Sequence, residues 1–495
     1  MAKSNKPDSG VKKIEIRMYR IGTGDFFLLL FRKGDKITFK MMIDCGCISA
    51  DQEDFKDAME DLTRITESNI DLLVVTHEHS DHINGFEICA GQFKDFTFKN
   101  VWFAWTESDK DKVANDYREH YSKLGFALNK AVTKLTGLVN NRYYNKLYAK
   151  EFGGDFMLKG KHHFIQSLAS INELNPLRGL AAGEPLPTMV KLLKDYHVIK
   201  KDITHVECLM PGTVMSGLPG AEGIRFYVLG PPRKRESLNR TEAEGETYEK
   251  RESRSTIDFS LLSALGDTDE SGKLTNLPFE PDFEATKDDR EIKEEYNRKQ
   301  DKWRKIDHDW LYSAGSMAMR YERSINNTSL ALAIQFEDSE KVLLFTGDAE
   351  FGNWESWYKD MEWPVNIGGK IVQRKIDYFL KNTVFYKVGH HLSQNGTPKG
   401  IGIDMMKDTD LSCMVSLNFK KILAAWRNTM PNDLLGAELI RKTKGRFFLA
   451  GDRGRILKNI KTGRVTVSKE DEDNLIALNE KFDGKVYIDC TVQGQ

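Results

Sequence analysis

The sequence has almost no excess of charge. Its 495 residues carry 73 Lys and Arg against 74 Asp and Glu, a formal net charge of -1. That balance excludes a protein held to nucleic acid by bulk positive charge, so any such contact has to come from a local patch. Long apolar runs are also missing. The greasiest stretch, Phe26 to Phe31, falls far short of the roughly 18 residues a membrane span needs. The opening MAKSNKPDSGVKK is charged with no apolar segment behind it, which speaks against a secretory signal. Cysteine is sparse and scattered: Cys45, Cys47, Cys89, Cys208, Cys413 and Cys490. Such spacing in a large chain is no disulfide framework and fits a reducing cytoplasm. Cys45 and Cys47 flank a glycine, but with no second close pair they read as ordinary buried thiols. There is no internal repeat at solenoid spacing.

What is present is 40% hydrophobic residues at a mean hydropathy of -0.51, enough for a real core under a charged surface. The length suggests two domains, or one with large insertions. Ile14, Ile16 and Met18 alternate with polar residues and predict a strand, which Gly22-Thr23-Gly24-Asp25 interrupts. Phe26 to Phe31, Thr38 to Ile43, Leu72 to Thr76 and Val101 to Trp105 predict further strands, with a helix over 51–67. From 108 to about 200 the apolar spacing turns helical. Strand character returns at Ile224 to Leu229 and stops at Gly230-Pro231-Pro232. Residues 233–324 are poor in apolar side chains and dense in charge, a charged insertion or linker. Ser329 to Phe336 and Lys341 to Thr346 then predict a hairpin, followed by strands at Val384 to Val388, Met414 to Leu417 and Arg446 to Leu449.

Five of the 11 histidines lie in two segments that begin where a predicted strand ends. The first is His77-Glu78-His79-Ser80-Asp81-His82. Spacing of two in an extended loop puts His77 and His79 on one side, while Asp81 and His82 can turn to another. Neutral imidazoles with a carboxylate suit Zn²⁺, and also Mn²⁺ or Fe. The competing interpretation is a His-rich surface loop. The second is Gly389-His390-His391 after the strand ending in Lys387-Val388. A carboxylate, Asp348, follows Gly347 at a third strand end. Strand ends meeting at one edge of a sandwich would gather these groups around two cations.

In order along the chain, His77-x-His79-x-Asp81-His82, Thr346-Gly347-Asp348 and Gly389-His390-His391 resemble the metallo-β-lactamase fold superfamily of hydrolases. Ile21 to Asp25, Ile43-Asp44-Cys45-Gly46, Asn326 to Leu332 and Lys387 to Ser393 are more finely similar to its ComEC-like branch, named for the nuclease-like domain of a DNA-uptake protein. The resemblance covers about 13–107, 224–232 and 325–400. It implies an α/β fold, an αββα sandwich interrupted by a helical insertion. The expected boundaries are a first core half at 1–107, the helical insertion at 108–223, a core strand at 224–232, the charged stretch at 233–324, a second core half at 325–460 and an extension at 461–495. It also implies two divalent metal ions, Zn or Mn. His77, His79 and a bridging Asp348 would hold the first. Asp81, His82, Asp348 and His391 would hold the second, with His390 as a substrate-facing acid or phosphate contact. Asp44 would orient a ligand imidazole by accepting its free N–H, and Asp25 would do the same or cap a turn. Asp81, His390 and Lys387 are the expected catalytic groups, with Lys387 and Arg427 supplying charge near a phosphate.

Two departures stand out. The superfamily's third His ligand is expected near Val228 to Pro232, where this chain has none. Met430 stands where the branch often has the His of a Gly-His-Pro. The implied activity is metal-dependent hydrolysis of a phosphodiester, with DNA or RNA as the substrate. The alternatives are a small-substrate phosphodiester hydrolase of phosphorylcholine or cyclic-nucleotide type, and a partner-binding component with a degenerate site. Between 110 and 161 the chain carries 11 Lys and Arg against 5 Asp and Glu, interleaved with Tyr143, Tyr144 and Tyr148. That mixture suits a nucleic-acid strand through phosphate contacts and stacking, and equally a solvated helix face. The expectation is a cytoplasmic protein without membrane contact; large insertions on such a scaffold suit control by a protein partner, for instance in defence against phage.

Overall fold

Alternation in the first strand, Lys13–Tyr19 (β1), buries Ile14, Ile16 and Met18. Its neighbour Phe27–Lys33 (β2) is buried on both faces, which is why it reads as an unbroken apolar run. Phe27, Leu29 and Phe31 join the core between two sheets. Leu28 and Leu30 join a second core under the helix Gln52–Thr66 (α1). That helix follows from its sequence. Asp51 caps it by accepting from the backbone of Glu53 and Asp54, Asp54 returns a bond to the Asp51 N–H, and Phe55, Ala58, Met59 and Leu62 form the buried stripe.

The computed structural model describes residues 10–48, 50–122, 187–248, 325–422, 430–451 and 454–494. The chain divides into one unit of Met1–Arg118, Pro187–Arg251 and Arg323–Gln495, and another of Glu119–Leu186 and Glu252–Glu322. All elements named here belong to the first. The first sheet also contains Lys36–Ile43 (β3), Asn69–Val74 (β4), Thr97–Ala104 (β5), His205–Leu209 (β6) and Tyr487–Gln493 (β16), in the order β16-β1-β2-β3-β4-β5-β6. The second sheet uses Val214–Ser216 (β7), Ile224–Val228 (β8), Leu332–Phe336 (β9), Val342–Phe345 (β10), Thr383–Lys387 (β13), Ser412–Val415 (β14) and Phe447–Leu449 (β15), while Trp363–Ile367 (β11) and Lys370–Arg374 (β12) pair as a separate hairpin. The second sheet's order is β15-β14-β13-β10-β9-β8-β7. The two sheets share one plan: four antiparallel strands, then three more added in parallel.

Between the sheets pack Ile16, Phe27 and Phe31 from one side and Phe226, Ile334 and Phe345 from the other. The outer face of the second sheet is covered by the helices Phe351–Lys359 and Ile376–Lys381. Phe379 lies 4.7 Å from the ring of Tyr227, and Trp354 lies 6.2 Å from that of Tyr386. The layers are therefore helix, sheet, sheet, helix, the expected αββα sandwich. Among the described residues no helix is long and apolar enough to cross a membrane. All six cysteines are free, five of them buried.

Two expectations about elements need correction. Residues 205–209 and 214–216, read as part of a helical insertion, are the edge strands β6 and β7. They are short and half-exposed, so neither alternation nor an apolar run marks them. The stretch read as a C-terminal extension includes β16, which pairs with β1 over seven positions and buries Ile488, Cys490 and Val492. The interior of the expected helical insertion (123–186), with its tyrosines, and residues 249–324 lie outside the described residues, as does Arg427.

Candidate metal centre

Parallel strands deliver their carboxyl ends to one edge of the sandwich. There β3 leads into Asp44, β4 into His77 and His79, β10 into Asp348, β13 into His390 and His391, and β14 into Ser416. Asp81 and His82 form the first turn of the helix Ser80–Ile88 (α2). The loops are fastened to each other by backbone. Asp25 N–H donates to Asp81 C=O (3.0 Å), Gly46 N–H to Asp25 C=O (3.0 Å) and Cys45 N–H to His82 C=O (2.8 Å). The contact is so close that a Cβ on Gly46 would run into the backbone of Asp81 and His82.

Asp81, His82, Asp348 and His391 are all buried, and each offers a ligand atom within 4.8 Å of the others. His391 Nε2 lies 3.2 Å from Asp81 Oδ2 and 3.4 Å from Asp348 Oδ2, and His82 Nε2 lies 3.3 Å from that same Asp348 oxygen. The outer ring nitrogens are engaged. His82 Nδ1 sits 2.8 Å from Asp44 Oδ2, and His391 Nδ1 3.0 Å from the carbonyl of Ser416. A carbonyl only accepts, so Nδ1 of His391 carries a proton, and the Asp44 carboxylate demands the same of His82. In the neutral rings both Nε2 atoms therefore present lone pairs. Neither Nε2, nor Asp81 Oδ1, makes a hydrogen bond of good geometry, although all three atoms are buried. Two imidazole nitrogens and two carboxylates converging in this way fit a divalent cation.

The charges favour the same reading. Burial opposes a proton on His391, but Asp348 and Asp81 outweigh it and raise the imidazole to about 10. Burial likewise works against His82, and Asp348, Asp81, Asp25 and Asp44 hold its pKa well above the usual value. Asp348 is pulled well below the carboxylate range, against its burial, by His391, His82 and Lys387. Without a cation, protons on the two rings balance the carboxylates.

The other expected residues divide. Asp44 is completely buried and accepts from Thr76 N–H (2.7 Å), Thr76 Oγ1 (2.6 Å) and His82 Nδ1. Asp25 faces inward, with Oδ2 2.5 Å from Lys387 Nζ and Oδ1 accepting from Ser416 Oγ. Lys387 does not point outward to a substrate. Its ammonium is enclosed by Asp25, Asp348 Oδ1 (3.3 Å) and the carbonyl of Gly347 (3.1 Å). His77 Nε2 faces His79 Nδ1 at 3.0 Å, and neither residue belongs to the four-residue group. Thr76 Oγ1 lies 3.1 Å and Ser329 Oγ 3.4 Å from His77 Nδ1.

Residues 228–232 are taken up by packing: Pro231 C=O accepts from the Trp105 indole, and Gly230 lies against Asn353. Beside His77 lies 326–330, where Leu330 N–H donates to Thr76 C=O (2.8 Å) and Ser329 Oγ lies 3.4 Å from His77 Nδ1. It too contains no imidazole. Met430, at the other departure, is buried.

His390, His391 and Leu392 are consecutive left-handed residues, at φ 48°, 46° and 66°. For side chains with a Cβ this costs about 1–2 kcal/mol each. The turn is held by His390 N–H to Asp348 Oδ1 (3.1 Å), Ser393 N–H to His390 C=O (2.7 Å) and Asn432 N–H to Leu392 C=O (2.8 Å). It aims His391 at the four-residue group and turns His390 the other way, toward Asn326 and Glu350, with Nδ1 3.5 Å from Glu350 Oε1. Sequence reasoning missed Thr76, Ser329, Ser416, Asn326 and Glu350. Thr76, Ser416 and Glu350 lie within two residues of a strand end or of Asp348, and Asn326 and Ser329 lie in the motif Asn326 to Leu332; those were the available signals.

Residues 31–94 match the metallo-beta-lactamase superfamily. Among solved structures the chain is similar to YhfI, a metallo-beta-lactamase fold protein from Bacillus subtilis, at 11% sequence identity and a TM-score of 0.18. The similarity covers 43% of this chain and 52% of the other, so the chain spans about half that protein's length. No curated protein matches. The matched segment runs from the end of β2 through Asp44 and His77 to α2 with its Asp81 and His82, so the likeness falls on the part of the chain that carries half of the four-residue group.

Proposed function

We propose that the protein is a divalent-cation-dependent phosphodiesterase acting on DNA or RNA. The observation that carries the hydrolase reading is the group Asp81, His82, Asp348 and His391, whose buried Nε2 atoms have no hydrogen-bond partner. A divalent cation held there supplies a lowered pKa for water and positive charge for phosphoryl oxygens. The chain's own residues do the rest. Asp44 fixes the tautomer of His82, and Ser416 fixes that of His391. Lys387 neutralises Asp25 and one oxygen of Asp348, leaving the other oxygen turned to His82 and His391. His390, 6% exposed and tied through its backbone N–H to Asp348, stands beside the group with its ring turned to Asn326 and Glu350.

The phosphodiester reading is supported by the ComEC-like order of motifs, from Ile21–Asp25 to Lys387–Ser393. The test is hydrolysis of single- and double-stranded DNA and RNA, and of bis(p-nitrophenyl) phosphate, with manganese or zinc. The Asp81→Ala and His391→Ala variants should be inactive. Activity equal in these variants, or no hydrolysis of any of the five substrates, would rule the reading out.

A further inference from the structure

The chain as a whole is neutral, but residues 441–464 carry nine Lys and Arg against one Asp. The segment spans the end of the helix Asp433–Lys442 (α3), the strand β15 and the helix Gly454–Lys461 (α4). Much of its charge is engaged locally. Arg441 pairs with Glu438, and Lys444 shares a hollow with Glu470 and Asp471. Arg446 binds the carbonyls of Thr409 and Leu411, and Lys442 Nζ lies 3.3 Å from that of Met406. Lys458, Lys461 and Arg464 differ. All three are exposed, and among the described residues none is in an ion pair. Lys458 and Lys461 stand three apart on one helix face. Arg464 is folded back on the helix end by its N–H to Asn459 C=O (3.0 Å).

The fold brings this helix to the edge that bears the cation group. β15 runs parallel to β14, so its carboxyl end opens beside Ser416. There Gly451 N–H donates to Leu417 C=O (2.9 Å), and α4 begins three residues later. α3 links α4 to the histidine turn: a Cβ on its Gly436 would stand 3.6 Å from Leu392 Cδ2 and 3.9 Å from Ile456 Cδ1. Ile456 is buried there, so the apolar face of α4 meets the protein while Lys458 and Lys461 meet solvent.

We propose that Lys458, Lys461 and Arg464 form a track for the phosphate backbone of a polynucleotide whose scissile phosphate lies at the cation group. The inference rests on the phosphodiesterase reading and deepens it, by assigning a polymer rather than a small phosphodiester. Eight helical residues rise about 12 Å, room for about three successive phosphates. Exposed unpaired lysine and arginine draw phosphates by releasing counterions, without reading sequence. A lipid surface fits less well, because the apolar face that would enter it is already buried.

The test uses the full chain loaded with manganese and a labelled single strand of about 20 nucleotides with phosphorothioate links, which resist cleavage. Fluorescence anisotropy gives its Kd for the parent, for the triple variant Lys458→Gln, Lys461→Gln and Arg464→Gln, and for a control, Lys359→Gln with Lys375→Gln, whose lysines are already in ion pairs. Three phosphate contacts give a slope of about 2 in log affinity against log salt, so between about 50 and 200 mM salt the parent should lose about 20-fold more affinity than the triple variant. The control should follow the parent, with manganese content and melting temperature unchanged in both. If the triple variant does not fold, the single variants decide, each lowering the slope by about 0.7. Equal salt dependence in parent and variant, the same change in the control, or anionic lipid vesicles that displace the label better than unlabelled strand overturns the track. Hydrolysis of bis(p-nitrophenyl) phosphate separates the two readings. A parent that cleaves the small ester but does not bind the strand sinks the track and keeps the hydrolase. A parent that hydrolyses nothing, yet loses salt-dependent binding only in the triple variant, sinks the phosphodiesterase and keeps the nucleic-acid surface.

Discussion

Replacing Asp44 by Asn tests how the centre is built. Asp44 is fully buried at φ 54°, a left-handed conformation that Asn tolerates as well as Asp, so the backbone has no reason to move. One oxygen accepts from Thr76 N–H, and the asparagine oxygen can keep that bond. The other accepts from Thr76 Oγ1 and His82 Nδ1. In the variant an NH₂ stands there. The Thr76 hydroxyl can rotate and accept, but His82 Nδ1–H would face another donor. The ring escapes by moving its proton to Nε2, the atom that faces Asp348 Oδ2 at 3.3 Å. A cation must then restore the donor–donor clash, a penalty of about 1–3 kcal/mol for an unsatisfied buried group. The expected loss of cation affinity is about 10- to 100-fold, in the range found for orienting partners of metal ligands. Affinity is measured by competition with a chromophoric chelator, and thermal stability is measured in parallel in EDTA. An unchanged affinity refutes the tautomer argument. A large fall in stability with normal affinity per folded molecule would make Asp44 a residue of the fold alone.

Three further outcomes follow from the same geometry. His391, held up to about 10, and His82, raised well above its usual value, carry protons in the cation-free protein; their contribution to stability is full below about 6.5, the unfolded value, and for His391 is lost as pH rises through about 10. Cation binding must expel those protons, so affinity should climb by up to about tenfold per pH unit per proton between pH 6.5 and 9, and flat affinity across that range in calorimetry would contradict the charge state. Gly46→Ala should cost at least about 1–3 kcal/mol and weaken cation binding, because its Cβ meets the backbone of Asp81 and His82 rather than a yielding side chain; an unshifted melting temperature would show that the loops are not in contact. Lys387→Met leaves Asp25 and Asp348 without their ammonium and should destabilise the cation-free protein by about 3–5 kcal/mol, a deficit that shrinks on adding manganese. An equal deficit with and without the ion would show that Lys387 does not share the field of the cation group.

Period-two alternation and buried apolar runs made most strands legible from β1 to β15, and the capped, amphipathic stretch at 51–67 made α1 legible, because each reports which face meets a core. Candidate groups were legible where an imidazole or carboxylate follows a strand within a few residues, as at Asp348 and His391, because the strand ends before the side chain that it delivers. Edge strands left no such mark: β6 and β7 are half-exposed, and β16 buries one face of a polar segment. Nor could linear order say that 326–330 lies against His77, since that depends on which strands are neighbours in different sheets. The sequence alone determined the kinds of group available: imidazoles, carboxylates and one lysine at the ends of strands. Only the tertiary structure decided their states. Burial beside one another makes Lys387 an internal counter-charge and turns the Nε2 atoms of His82 and His391 toward one point. Each of these is a property of distance and exclusion of water, which exists only once the chain has closed.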